Sequence, residues 1–179
     1  MDSSSAEAQR ALRHALGSFP TGVTIITTQD ALSKSLVGLT INSFSSVSLD
    51  PPLVLWSISN RSANLAHFSA GRAHAIHVLS SGQEALARQF ATPQADKFAG
   101  VAHQLCSESG VPLIDGCAAR FDCVTESVTP AGDHQIILAR VLRYETAALT
   151  PLLFARGAFA TAVLPPLPPL VPAKVCATT

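Results

Sequence analysis

The hydrophobic pattern of this chain breaks into many short runs of strand character and few of helical spacing. Near the start, Ala8, Leu12, Ala15 and Leu16 share one face of a helix predicted over Ala6–Leu16, and Gly17 stops it. Gly22–Thr28 is dense in β-branched residues and reads as a strand. The polar stretch Gln29–Ser35 follows as a hairpin turn, then a returning strand over Ser35–Ile41 and a further one over Leu53–Ile58. Ser62–Ala70 reads as a short helix and Ala73–Leu79 as a strand, on which His74 and His77 face opposite sides. Ser81-Gly-Gln-Glu84 has the form of a capping box for a helix running through Phe90, which Pro93 ends. Asp96–Val101 adds a short helical turn. Two long β-type runs, Ala118–Val128 and His134–Tyr144, flank Thr129–Asp133 and predict a hairpin with a loop of several residues.

Many short strands with few helices predict a mainly β domain built as an antiparallel barrel with a few flanking α-helices. The strand–helix alternation of a doubly wound sheet is missing, and so is any GxGxxG turn. Residues 1–164 read as one domain. From Leu164 the prolines are too dense for helix or ladder, so 165–179 reads as an extended, poorly ordered tail.

Composition narrows the partners. A chain of 179 residues with 47% hydrophobic and 13% charged residues has more apolar material than a small monomer easily hides, which favours a buried subunit interface. The formal net charge is zero and the basic residues are dispersed, which argues against nucleic acid and against an anionic membrane surface. The four cysteines form no CxxC pair, the N-terminal stretch lacks the apolar core of a secretory signal, and no run is long enough to span a bilayer. A cytoplasmic protein with reduced cysteines is the expectation. Cys117, Cys123 and His134 have no spacing that fixes a metal site.

The chemistry concentrates in Gly38–Ile58, GLTINSFSSVSLDPPLVLWSI. Hydroxyls, one amide and small residues sit between two apolar strands, and nothing in the segment does acid–base work. It suits a flat ligand with a polar edge, held by hydroxyls and by backbone groups near Asn42–Ser48. The plain alternative is a serine-rich turn, since Ser and Asn favour turns for local reasons. Just beyond, Ser57, Ser59, Arg61, Ser62 and Asn64 lie where the short helix begins, and free N–H groups there suit a phosphate.

Five markers in order carry a resemblance: Phe19-Pro-Thr-Gly-Val23, Gly38 through Pro52, Phe90 with Asp96-Lys-Phe98, Gly132-Asp-His134, and Pro151-Leu-Leu-Phe154 with Gly157. Over roughly Phe19–Thr161 the chain resembles the short-chain flavin reductases, the reductase components of two-component flavin-dependent monooxygenases. The resemblance implies an FMN-binding, Greek-key split β-barrel, a homodimer and NAD(P)H:flavin oxidoreductase activity. FMN or FAD is the flavin, NADH or NADPH the hydride donor, and a monooxygenase the transient partner that receives reduced flavin. It implies flavin contacts from Thr40, Ile41, Asn42, Ser43, Ser46, Val47, Ser48, Ser57, Ser59, Ser62 and Asn64, with Lys97 approaching the phosphate. Gly132, Asp133 and His134 fall near the nicotinamide, His134 as the catalytic candidate. Phe154, Arg156, Gly157 and Phe159 fall near flavin or nicotinamide. The family often has tyrosine where this chain has Phe154 and Phe159, so stacking is kept and a phenol hydrogen bond is not. Hydride transfer between two stacked rings needs no general base, so His134 orients the nicotinamide or neutralises charge. The alternatives are a flavin- or haem-binding carrier or sensor on the same barrel, and a pyridoxamine-phosphate type oxidase, for which the basic cluster is missing.

Overall fold

The computed structural model describes residues 3–93 and 96–165, so the predicted tail falls almost wholly outside the described residues. The chain forms α1 (Ser3–Leu16), β1 (Thr21–Gly22), β2 (Thr24–Gln29), β3 (Leu36–Ile41), β4 (Ser45–Leu49), β5 (Pro52–Ser59), β6 (Ala73–Val78), α2 (Glu84–Ala91), β7 (His103–Leu105), β8 (Pro112–Ile114), β9 (Ala119–Ala131), β10 (His134–Thr146), β11 (Leu152–Ala155) and β12 (Ala158–Thr161). Among the described residues no helix is long and apolar enough to cross a membrane.

Seven strands pair antiparallel in the order β3-β2-β6-β9-β10-β5-β4. The two edge strands, β3 and β4, are joined only by residues 42–44. Laid flat, seven strands would hold those edges about 29 Å apart. The link from Ile41 to Ser45 reaches at most about 14 Å. The sheet must therefore curl until its edges nearly meet, which makes a barrel with one open seam. β1, β11 and β12 form a separate small sheet, and β7 and β8 a third.

The two-residue strand period sorts side chains into two cores. Ile26 joins Trp56, Ile58, Phe68, Ile76 and Ile137 on one face, while its neighbour Ile25 joins Val23, Leu79, Phe90, Ile114 and Leu152 on the other. Trp56 meets Phe68 edge-on at 4.8 Å. His74 and His77 are both buried, one in each core. The Trp56 indole N–H donates to His74 Nε2 at 3.4 Å. The Ile114 N–H donates to His77 Nε2 at 3.0 Å, and His77 Nδ1 donates to the Ile25 carbonyl at 3.1 Å. Burial pushes His77 down to about 3 and His74 down to about 4, so both are neutral fillers of the core.

Several predicted elements shift. The strand predicted over Gly22–Thr28 divides at Val23: Gly22 pairs with Leu153 in the small sheet and Thr24 with Ile41 in the large one. The hairpin after Val128 has no long loop, because Pro130 and Ala131 stay in the ladder and only Gly132-Asp133 turn the chain. Gly132 has φ +64° and Asp133 is not left-handed, the φ pattern of a type II′ turn. The capping box lies one residue earlier than predicted: the Ser80 N–H donates to Gln83 Oε1 at 3.0 Å, and Glu84 instead pairs with Arg88 at 2.7 Å. Asp96–Val101 is a turn, and the helix predicted over Ser62–Ala70 shrinks to a 3₁₀ turn at Leu65–Phe68. The serine-rich Ser45–Leu49 is not loop but edge strand, paired with β5 through a bulge at Val47 and turned at Asp50-Pro51.

Candidate active site at the barrel seam

β4 pairs with β5 only as far as Leu55, so β5 beyond it has no ladder partner on that side. The C-terminal half of β3 approaches this free edge. Between them opens a cleft of about 350 Å³, within the size range of small-molecule sites. One wall is Leu39, Thr40, Ile41, Asn42 and Ser43; the other is Ser57, Ile58 and Ser59, with Ser62 and His134 at the mouth.

Local bonding explains the shape. The Ser57 N–H donates to the Ser43 hydroxyl at 2.9 Å, and that hydroxyl donates back to the Ser57 carbonyl at 3.3 Å. One serine thus stitches the β3–β4 link to β5 where the ladder stops. The Thr40 hydroxyl donates to the Ala87 carbonyl at 2.8 Å and ties β3 to α2. Gly38 makes that approach possible, because a Cβ there would fall 2.4 Å from the buried Phe90 ring.

His134 opens β10 directly opposite Ser59 in the ladder. Its Nδ1–H donates to Asp133 Oδ1 at 2.7 Å, which leaves Nε2 for a ligand. That hydrogen bond, with the imidazole's charge and the nearby Arg61, holds the Asp133 carboxyl below the usual range. Ser59 and His134 do not form a nucleophile–base pair, because the Ser59 hydroxyl accepts the Arg61 N–H at 3.2 Å and makes no bond to the imidazole. The lining holds hydroxyls, one amide, one imidazole and an apolar surface from Leu39, Ile41 and Ile58. It offers no carboxylate, thiol or amine. Such a site binds and orients a flat ring with a polar rim; it has no nucleophile set up by a base. Among the described residues no group of three or more His, Cys, Asp or Glu is arranged to hold a metal ion.

Of the predicted site residues, Thr40, Ile41, Asn42, Ser43, Ser57, Ser59, Ser62 and His134 come together in this cleft. Gly132 and Asp133 form the turn beside it. Ser46, Val47 and Ser48 lie on edge strand β4, outside the lining. Asn64 stands at the start of the 3₁₀ turn, and the N–H groups expected to be free there are taken. The Ser62 N–H donates to the Ser59 carbonyl at 3.0 Å, the Asn64 N–H to the Ser62 hydroxyl at 3.3 Å and the Leu65 N–H to the Ser62 carbonyl at 3.2 Å. Lys97 donates to the Phe90 carbonyl at 2.7 Å and closes the end of α2, and burial lowers its pKa. Phe154 and Phe159 meet edge-on at 5.4 Å, with Arg88 over the Phe159 ring at 4.8 Å, in the second core. Arg156 and Gly157, at φ +51° and +80°, are the type I′ turn of the β11–β12 hairpin.

Sequence reasoning missed Leu39, Ile58, Asn60 and Gln135. Leu39 and Ile41 share a strand face by the period of two, so the apolar wall was available in the pattern. Asn60 and Gln135 had no signal, because their role depends on β5 lying beside β10.

The cleft lies inside the stretch that known proteins share with this chain. Residues 16–162 match the model of the flavin reductase like domain. The chain is 44% identical over 153 residues to the FMN reductase (NADH) SmoA of Agrobacterium fabrum, covering 86% of each. It is 44% identical over 152 residues to the reductase component of the flavin-dependent trigonelline monooxygenase of Acinetobacter baylyi, covering 85% of this chain and 48% of that one. This chain spans about half the length of some of the curated relatives it matches. Among solved structures, the NADH:FAD oxidoreductase SgcE6 of Streptomyces globisporus, in complex with NAD and FAD fragments, superposes with a TM-score of 0.82 at 37% identity, covering 88% of this chain and 94% of that one. The match over most of the chain, on the same barrel, makes this protein a member of the flavin reductase like family.

Proposed function

We propose that this protein is an NADH:flavin oxidoreductase whose seam cleft receives the flavin ring and whose Gly132-Asp133-His134 turn receives the nicotinamide. The carrying observation is the cleft itself: an apolar wall rimmed by hydroxyls and an amide, with a single imidazole whose free nitrogen is Nε2. Leu39, Ile41 and Ile58 suit the apolar tricycle, and Asn42, Ser43 and Ser57 suit its pyrimidine edge. Ser59 and Ser62, with the exposed Arg61 nearby, suit a phosphate. A flavin in this site supplies an acceptor for a hydride from the reduced nicotinamide. The protein holds the acceptor, excludes water from its apolar face, and offers a donor where negative charge develops. Names of relatives support NADH as the donor. The relatives that are reductase components support a monooxygenase as the consumer of the reduced flavin. The reading includes a homodimer, supported by exposed Phe19, Leu49 and Leu16 at 75%, 93% and 65%. It also includes a reducing cytoplasm, supported by three unbonded cysteines among the described residues.

The test is NADH oxidation followed at its absorbance band with FMN or FAD added. Flavin-dependent decay well above the protein-free control is expected. Its absence with both flavins, despite flavin binding, would leave a carrier module.

A further inference from the structure

One residue outside the β9–β10 hairpin reaches both carbonyls of its turn. The Asn60 N–H donates to the Asp133 carbonyl at 3.0 Å, and Asn60 Nδ2 donates to the Gly132 carbonyl at 3.1 Å. Asn60 Oδ1 accepts from Gln135 Nε2 at 2.7 Å. The Gly132 carbonyl can only accept and Gln135 Nε2 can only donate, so the Asn60 amide is fixed in one orientation. Among the described residues, no other residue outside the hairpin hydrogen-bonds Gly132 or Asp133.

His134 inherits its pose from that turn. Its Nδ1–H is held by Asp133, a turn residue that is itself almost fully exposed. An exposed two-residue turn has little else to fix it. Asn60 follows directly on Ser59, the last cleft-lining residue of β5. It therefore joins the strand end that walls the cleft to the turn that carries the imidazole.

We infer that Asn60 is a positioning residue for the nicotinamide side of the cleft: its side chain, locked by Gln135, sets the Gly132-Asp133 turn and through it the direction of His134 Nε2. The inference rests on the proposed reductase function and adds a residue to it. Asn60 is not itself among the residues lining the cleft, so its loss acts on the donor and spares the flavin.

The experiment measures kcat and KM for NADH, and the FMN dissociation constant by fluorescence, in wild type, Asn60→Ala, Gln135→Ala, His134→Ala and the Asn60→Ala/His134→Ala double variant. Asn60→Ala should lower kcat/KM for NADH about five- to tenfold, the scale of one or two side-chain hydrogen bonds, with the FMN constant within about twofold. Gln135→Ala, which leaves every backbone bond intact, should shift kcat/KM the same way by a smaller factor. It keeps the inference testable should Asn60→Ala melt early. In the His134→Ala background the Asn60 change should add less than about twofold, because the two act through one path. Full additivity, an unchanged kcat/KM in both Asn60→Ala and Gln135→Ala, or a loss confined to FMN binding would overturn the inference. A wild-type protein that leaves NADH unconsumed would overturn the reductase reading, and this inference with it. A wild type that consumes NADH beside unaffected variants would overturn this inference alone.

Discussion

Ser43 and Ser57 exchange two hydrogen bonds, one at 2.9 Å and one at 3.3 Å, across the gap where the barrel's ladder ends. Replacing the hydroxyl leaves a half-buried N–H and C=O on β5 to find water, at about 1 kcal/mol each. Ser43→Ala should widen the cleft and weaken FMN binding about tenfold, with a melting temperature lower by a few degrees. Fluorescence titration measures the first. An unchanged dissociation constant would mean that flavin does not sit between β3 and β5.

His134→Ala should raise KM for NADH about tenfold while FMN affinity stays within about twofold. Steady-state kinetics beside flavin titration separates the two. Should flavin affinity fall instead, His134 belongs to the flavin's half of the site.

Gly38→Ala should cost about 1–3 kcal/mol of stability through overpacking. The new Cβ would fall 2.4 Å from a Phe90 ring that is fully buried and has nowhere to go. Urea unfolding of the variant checks the figure. Wild-type stability would show that α2 can slide away from β3.

Acid should destabilise the protein well before its carboxylates titrate. His74 and His77 fall from the ordinary 6.5 to about 4 and about 3, because burial opposes their charge. The unfolded chain therefore binds protons between about pH 6.5 and 4 that the folded chain refuses, and stability falls as pH falls. Each histidine contributes up to about 1.4 kcal/mol per pH unit within that window. Urea midpoints at pH 7, 6 and 5 should decline steeply. A flat profile would mean that one or both histidines gain a proton in place.

Thiol reagents should reach Cys106 before Cys117, and Cys123 last. Burial raises the Cys106 thiol, but hydrogen bonds from the Ser109 hydroxyl and the Ser109 and Glu108 N–H groups outweigh it and hold the thiol below its usual value. Burial pushes Cys117 up to about 11 and raises Cys123 further. Peptide mapping after brief alkylation of the native protein reads the order. Early labelling of Cys123 would reveal opening of the core.

Runs whose burial is decided by their own residues were legible in the sequence. The β-branched strands β2 and β3, the apolar β5 and the long β9–β10 pair each carry enough side-chain pattern to announce themselves. The cleft walls were legible for the same reason, since Thr40–Ser43 and Ser57–Ser62 end two such strands. β4 was not, because Ser45, Ser46 and Ser48 look like turn residues until β5 supplies a partner; tertiary pairing overrides propensity there. The helix over Ser62–Ala70 failed because the Ser62 hydroxyl and carbonyl take the N–H groups that would have begun it. Lys97 and the β11–β12 hairpin carry the right residue types in the right order, but linear order does not say which edge of a curled sheet they join.

The barrel is left open where β3 faces the end of β5. A guest lodged in that gap would finish the wall that the chain leaves incomplete, so gripping it and tightening the shell would be a single event. A shell that relaxes when its guest departs lets go readily, as the proposed hand-over of reduced flavin would require.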